Sequence, residues 1–447
     1  MTDIVFSFDT EDFTSSESAD AIYTEAEILR KAGIRGCFCM VGLLCEQLVK
    51  WNRTDVIEAL SHHEIDLHSY GHSLHPTINE YTDTEDFNRA YERVFANETK
   101  AAKLIRDVFK TDKIYAAVPP GNNKSYAAMY AYHKMGIPIY ADTFCAAKDG
   151  QGTYYCNEFH MDYNFEMESM FFKCGEEDIV KTLDKLAEKK RVVAFTHPHI
   201  SLYSKHWDEV NYFKKNIYPF GQWQECPKRT KEETENFYKN MQLFAKLVKE
   251  DGRFRIVTYK DIYNQLLSEG KRTVHRGDII QIERELGNNF YPISTPVSLS
   301  LADIFLACRS FILGSDEHIC KDVYGFLHEP FAIEKSLSLK AEDIVKSAQE
   351  IKPDGFLPEK ISVGDNTVGP ADWMRATLQI LCGSKIAQIS PGEKMPSLDM
   401  LPDVRDCSFT DFKAFKHGKW ATQSDDFKDQ FLSDRLRLQA WTMRFVF

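Results

Sequence analysis

The chain has 447 residues, 43% of them hydrophobic and 27% charged, which suits a soluble globular protein of two or three domains, too long for one ordinary core. A formal net charge of −12 argues against nucleic acid or an anionic membrane surface as partner, because Lys/Arg-rich faces hold both. The 11 cysteines are scattered from Cys37 to Cys407 without a C-x-x-C pair, so they read as reduced thiols, with Cys37 and Cys39 in the core, and not as a disulfide scaffold.

The opening, MTDIVFSFDTEDF, has no basic n-region or apolar h-region, and no run reaches the length of a bilayer span. The expectation is a cytoplasmic protein without a signal peptide. From there short apolar runs alternate with amphipathic stretches: IVFSFD, a helix over 19–32, GIRGCFCMVG, a helix over 42–60, EIDLHS and a long helix over 85–109. Then follow IYAAVPP, a helix over 124–135, IPIYADT, a helix over 175–190, RVVAFTH, a helix near 231–250 and FRIVTYKDI. Strand and helix in alternation predict an α/β fold of parallel strands under helices, about seven units ending near residue 268. Sites in such folds gather at the C-terminal ends of strands, where every polar cluster singled out below falls.

Beyond SEGKRTVHRGD the pattern changes, and 271–447 reads as a second, mixed and mainly helical accessory domain. Within it 301–315 resembles 370–384: Ala302, Asp303, Ala307, Gly314 and Ser315 meet Ala371, Asp372, Ala376, Gly383 and Ser384. Each segment reads as a helix opened by an Asp and stopped by a Gly, either a weak internal duplication or a chance product of shared packing needs.

Three groups of residues carry chemistry. In VFSFDTEDF the strand period puts Ser7, Asp9 and Glu11 on one face and Asp12 on the other. EIDLHSYGHSLHP brings His68, His72 and His75 together; a histidine four residues after another reaches the same point from one helical turn, a spacing that suits a metal. VVAFTHPHIS ends an apolar strand on His197, with His199 on the same face. His62, His63 and His75 read as surface or supporting histidines.

The run GIRGCFCMVG, a helix and then EIDLHSYGH resemble the second strand, second helix and metal segment of the NodB-homology polysaccharide deacetylases, carbohydrate esterase family four. The spacing of Asp9 and Glu11 is that of its peptidoglycan-deacetylase-like branch. The resemblance covers roughly 1–268 and implies a distorted (β/α)7 barrel over 1–270. It makes Asp9 the base, Glu11, His68 and His72 the ligands of a divalent metal, Zn²⁺ first with Co²⁺, Ni²⁺ or Mn²⁺ as alternatives, and His197 the general acid. Asp12 remains a competing ligand on the wrong strand face. The family's R-x-P-x-G appears as AAVPPG: Pro119 and Gly121 match, Pro120 lies between them, and Ala117 stands where the base-orienting arginine belongs. Lys124 is a candidate substitute, and Asp142 in IYADTF only faintly matches a further motif.

The implied activity is hydrolysis of an acetyl group from an N-acetylated or O-acetylated sugar or oligosaccharide, with a backbone N–H of the Pro119–Gly121 loop at the oxyanion. The alternatives are hydrolysis of another C–N amide, such as a cyclic amide, and a decayed carbohydrate-binding or scaffold protein. An insertion over about 200–230 carries Tyr203, Trp207, Tyr212, Phe213, Tyr218, Phe220 and Trp223. These rings wall a sugar pocket, cover the metal, or pack against the accessory domain or a second subunit of a homo-oligomer; the residues leave the choice open.

Overall fold

The structure, a computed structural model, describes residues 1–121, 125–141, 152–212, 218–267, 271–288, 290–396, 422–424 and 426–445. They fall into two compact units: the described residues within 1–151, 160–266 and 403–432 form the first, and those within 152–159, 267–402 and 433–447 the second. Among the described residues no helix is long and apolar enough to cross a membrane.

In chain order come β1 (Thr2–Thr10), α1 (Ser18–Ala32), β2 (Cys37–Met40), α2 (Gly42–Lys50), α3 (Thr54–Leu60), β3 (Glu64–Leu67), α4 (Ile78–Thr82) and α5 (Phe87–Phe109). Next are β4 (Ala116–Ala117), α6 (Tyr126–Lys134), β5 (Ile139–Ala141), β6 (Thr153–Tyr155), β7 (Glu158–Met161) and β8 (Phe165–Glu166). Then follow α7 (Glu168–Lys173), α8 (Glu176–Leu186), β9 (Arg191–Thr196), α9 (Trp207–Asn211), α10 (Lys231–Glu250), β10 (Phe254–Ile256) and α11 (Tyr259–Leu267).

The first unit is built on parallel strands in the order β5-β4-β3-β2-β1-β9-β8, with β10 parallel to the first residues of β1. β1 is central because its two faces serve different layers. Phe6 packs edge-on against Phe244 of α10 at 5.7 Å, and Phe8 stacks on Phe38 at 4.5 Å, each burial contributing ~1.5–3 kcal/mol. Ser7 and Asp9 alternate onto the opposite face. The sheet curls into a half-barrel, consistent with the distorted barrel expected from the sequence, and its strand order has two ends. The expected helix 42–60 is two helices, separated where Asn52 takes φ 56°, a left-handed backbone that a helix does not continue through. IYAAVPP forms only a two-residue strand, since Pro119 and Pro120 have no N–H for a ladder. Capping boxes and terminal glycine set the helix ends elsewhere: Thr230 and Glu233 exchange bonds at the start of α10, and α1 stops at Gly33, φ 66°.

The second unit holds β11 (Thr273–His275), α12 (Ile279–Asn288), α13 (Leu301–Ile312) and β12 (Glu317–Ile319). They are followed by β13 (Leu337–Lys340), α14 (Ala341–Glu350), β14 (Ile361–Val363), β15 (Asn366–Val368), α15 (Pro370–Leu381) and β16 (Ile386–Ile389). β11 closes antiparallel on β12, and β13 on β16. In both α13 and α15 an Asp at the third helical position returns to the residue before the helix: Ser300 N donates to Asp303 at 2.9 Å and Gly369 N to Asp372 at 3.1 Å. Phe305 and Trp373 bring the two helices together, centroids 4.9 Å apart.

Candidate metal centre

Residues of the first unit converge at the C-terminal ends of β1, β3 and β9. Glu11 leaves β1 buried, on the same side as Asp9, and its Oε2 lies 2.8 Å from His72 Nε2 and 3.4 Å from His68 Nε2. Asp12 faces away, accepting from Thr14 N at 2.8 Å and Thr14 Oγ1 at 2.6 Å, and burial pushes its carboxyl up to about 6.

The two histidines do not sit on a helical turn, which corrects the sequence reading. After β3 the chain enters a loop in which Ser69 (φ 65°) and His72 (φ 49°) take left-handed backbone, while His72 N donates to Ser69 Oγ at 3.0 Å. This backbone costs a non-glycine residue ~1–2 kcal/mol and turns the second ring back onto the first, centroids 5.1 Å apart.

Hydrogen bonds fix how each ring presents itself. His68 Nδ1 donates to Val118 O at 2.5 Å, an acceptor only, so the neutral ring leaves a lone pair on Nε2. The single proton of Ser73 Oγ goes to Asp208 Oδ2 at 2.6 Å, so the hydroxyl accepts from His72 Nδ1 at 2.7 Å, and His72 Nε2 is likewise a lone pair. Two lone pairs thus face a carboxylate oxygen, and His68 Nε2 is buried without a hydrogen-bond partner. Such a set repels itself unless a positive charge sits between its members, and two imidazoles with one carboxylate match the donors of a divalent metal with open positions.

Beside this set stand Asp9 and His197. His197 Nε2 lies 3.6 Å from Asp9 Oδ2, and its Nδ1 donates to Glu168 Oε1 at 2.7 Å, an oxygen that also accepts from His197 N at 2.8 Å. Burial opposes a charge on His197, but Glu168, Glu11 and Asp9 outweigh it and raise its proton affinity well above an ordinary histidine's. Burial likewise opposes charge on Glu168, and His197 overcomes it, bringing Glu168 to about 2. Asp9 Oδ1 accepts from Tyr163 OH at 2.6 Å, and Tyr163 OH also meets Ser7 Oγ at 2.7 Å, which meets Tyr259 OH at 3.1 Å. Tyr163 is thus a side-chain donor to Asp9; Lys124, Asp142 and Phe213 lie outside the described residues.

Of the 119–121 loop, Pro119 and Pro120 are buried and only Gly121, φ 55°, has an N–H to offer. His75 stands apart, bonded to Glu80 at 2.9 Å and to Tyr212 O at 3.0 Å, and His63 accepts from Gly36 N and donates to Ala26 O, each at 3.1 Å. The aromatic insertion reaches the centre through Trp207, whose Nε1 donates to Glu11 Oε1 at 3.0 Å; its ring packs on Phe13 at 4.6 Å. The nine described cysteines are all free thiols, Cys37 and Cys39 among the buried ones. Sequence reasoning missed Ser73, Tyr163, Glu168, His206 and Asp208. Glu168, in FEMESM, has no periodic or motif signal, and Ser73 and Asp208 are far apart in the chain.

No family model matches the sequence, and no curated protein does. Among solved structures it is similar to a 4-alpha-glucanotransferase from Thermococcus litoralis, 11% identical at TM-score 0.40, over 59% of this chain and 40% of that one, less than half its length. It is also similar to a family 4 carbohydrate esterase from Streptomyces lividans, 11% identical at TM-score 0.31, over 57% of this chain and 91% of that one. A peptidoglycan deacetylase from Bacillus subtilis is 10% identical at TM-score 0.31, over 60% and 94%. These are broad likenesses, and the case for this chain's chemistry rests on its own side chains.

Proposed function

We propose that the chain is a metal-dependent hydrolase that removes an acetyl group from an N-acetylated or O-acetylated sugar or oligosaccharide. The observation that carries the reading is the pair of inward lone pairs of His68 and His72 on buried Glu11, beside an aspartate and a histidine that each have a fixed partner. Glu11, His68 and His72 would hold a divalent cation, which would supply Lewis acidity toward the acetyl carbonyl and a water. Asp9, its Oδ1 held by Tyr163, takes the proton of the attacking water through Oδ2. His197, whose proton affinity Glu168 and Asp9 help to raise against burial, gives a proton to the departing nitrogen or oxygen. The Gly121 N–H is the donor of its loop for the oxyanion. Acetate and a free amine, or a free hydroxyl, result.

The test is acetate release from a panel of N- and O-acetylated saccharides by zinc-loaded protein. Asp9→Asn and His197→Ala should each lower turnover ~10²–10⁴-fold with the metal retained, and His68→Ala should lose the cation of the Glu11–His68–His72 set. A metal-loaded protein that releases acetate from none of the panel would end this reading.

A further inference from the structure

The carboxylate of Glu11 has a second oxygen, and its surroundings repeat those of the first. Oε1 lies 3.8 Å from His199 Nδ1 and 3.7 Å from His206 Nδ1, and ligand atoms of Glu11, His199 and His206 all lie within 4.8 Å of one another. These separations exceed a hydrogen bond, yet two donors each about 2.0–2.2 Å from one cation stand roughly 3–4 Å apart. His199 is 2% exposed, and neither of its ring nitrogens has a hydrogen-bond partner among the described residues. The chain shows how it satisfies a buried histidine of purely structural use: both nitrogens of His63 are bonded to backbone groups. His199 breaks that pattern and does so beside a carboxylate oxygen. Trp207, next to His206 in the chain, donates to the same Oε1 and holds it toward the two rings, leaving a second lone pair on the oxygen.

We propose that Glu11 bridges two divalent cations of the zinc and cobalt class, one on Oε2 with His68 and His72, the other on Oε1 with His199 and His206. Carboxylate-bridged pairs place their ions ~3.5–4 Å apart, a separation the two oxygens of one carboxylate serve. His206 belongs to the aromatic insertion and His199 to the turn after β9, so the second site ties the insertion to the sheet. The inference uses the same Glu11 as the proposed activity but needs no particular reaction.

The test is the metal content of the full chain titrated with Zn²⁺ alone, and the magnetic spectrum of the Co²⁺ form. The parent should bind two equivalents and show spin coupling between its Co²⁺ ions; His206→Ala and the bulk-preserving His199→Gln should each bind one and lose the coupling. His68→Ala should also retain one, at the second site. A parent that saturates at a single equivalent lost in His68→Ala and kept in His206→Ala overturns the second site and leaves the hydrolase reading standing, whereas a single equivalent lost in His206→Ala and kept in His68→Ala overturns the bridged pair and the hydrolase reading's metal set together. A parent that binds none overturns both.

Discussion

Ser73→Ala tests the lone-pair argument where it is most exposed to failure. The partner of His68 Nδ1 is the backbone carbonyl of Val118, which no substitution removes, whereas the partner of His72 Nδ1 is a side-chain hydroxyl held by Asp208. Removing that hydroxyl leaves the Nδ1–H and an oxygen of Asp208 without the bonds of 2.7 and 2.6 Å, in a region where His72, Ser73 and Asp208 are all buried. The fold should lose ~1–3 kcal/mol for the buried groups left unmet. The cation should lose more specifically, because only Asp208 Oδ2, 3.6 Å away and no longer relayed by a hydroxyl, is then left to keep the proton on Nδ1; partners of this kind typically contribute ~10–100-fold in metal affinity, about 1.4–2.7 kcal/mol. The assay is Zn²⁺ competition against a chromophoric chelator, with melting measured alongside to show that the variant is folded. A folded Ser73→Ala whose Zn²⁺ affinity stays within twofold of the parent would refute the reasoning.

Tyr163→Phe should leave metal content unchanged and lower kcat ~10–100-fold, the effect of one charge-assisted hydrogen bond on Asp9; an unchanged kcat would remove Tyr163 from the role vacated at Ala117. Glu168→Gln takes an anion from His197 Nδ1, so the proton affinity of His197 falls and the basic limb of the kcat/KM profile should move to lower pH; a limb that stays or moves up contradicts His197 as the acid. Asp12→Asn should keep the metal, while Glu11→Gln loses it. Because burial raises Asp12 from 3.8 to about 6, ionisation costs the parent fold up to about 3 kcal/mol as pH rises across that window, so Asp12→Asn should gain melting temperature relative to the parent between pH 4 and pH 7. A melting difference independent of pH would show that Asp12 ionises freely.

The local elements were legible in the sequence where one face of a segment is buried. The alternation of Phe6 and Phe8 with Ser7, Asp9 and Glu11 fixes both the strand and the side on which the carboxylates stand, because a period of two allows no other placement. The long apolar stripe of 85–109 and the capping box of Thr230 and Glu233 likewise announce α5 and α10. His68, His72 and His197 follow the last residues of β3 and β9, so their location at strand ends was also readable.

What the sequence could not supply is what lies beside those residues. The left-handed backbone at Ser69 and His72, which replaces the helical turn expected there, is stabilised by contacts with other segments. Tyr163 donates to Asp9 because its hydroxyl arrives there from a separate stretch of chain. Glu168, Asp208, His199 and His206 acquire their meaning only when β9 and the insertion close over Glu11. Sequence periodicity reports which side of an element is buried, through the burial of its own side chains; a hydrogen bond or a shared cation joins atoms from elements distant along the chain, and only the packing of those elements determines which atoms meet.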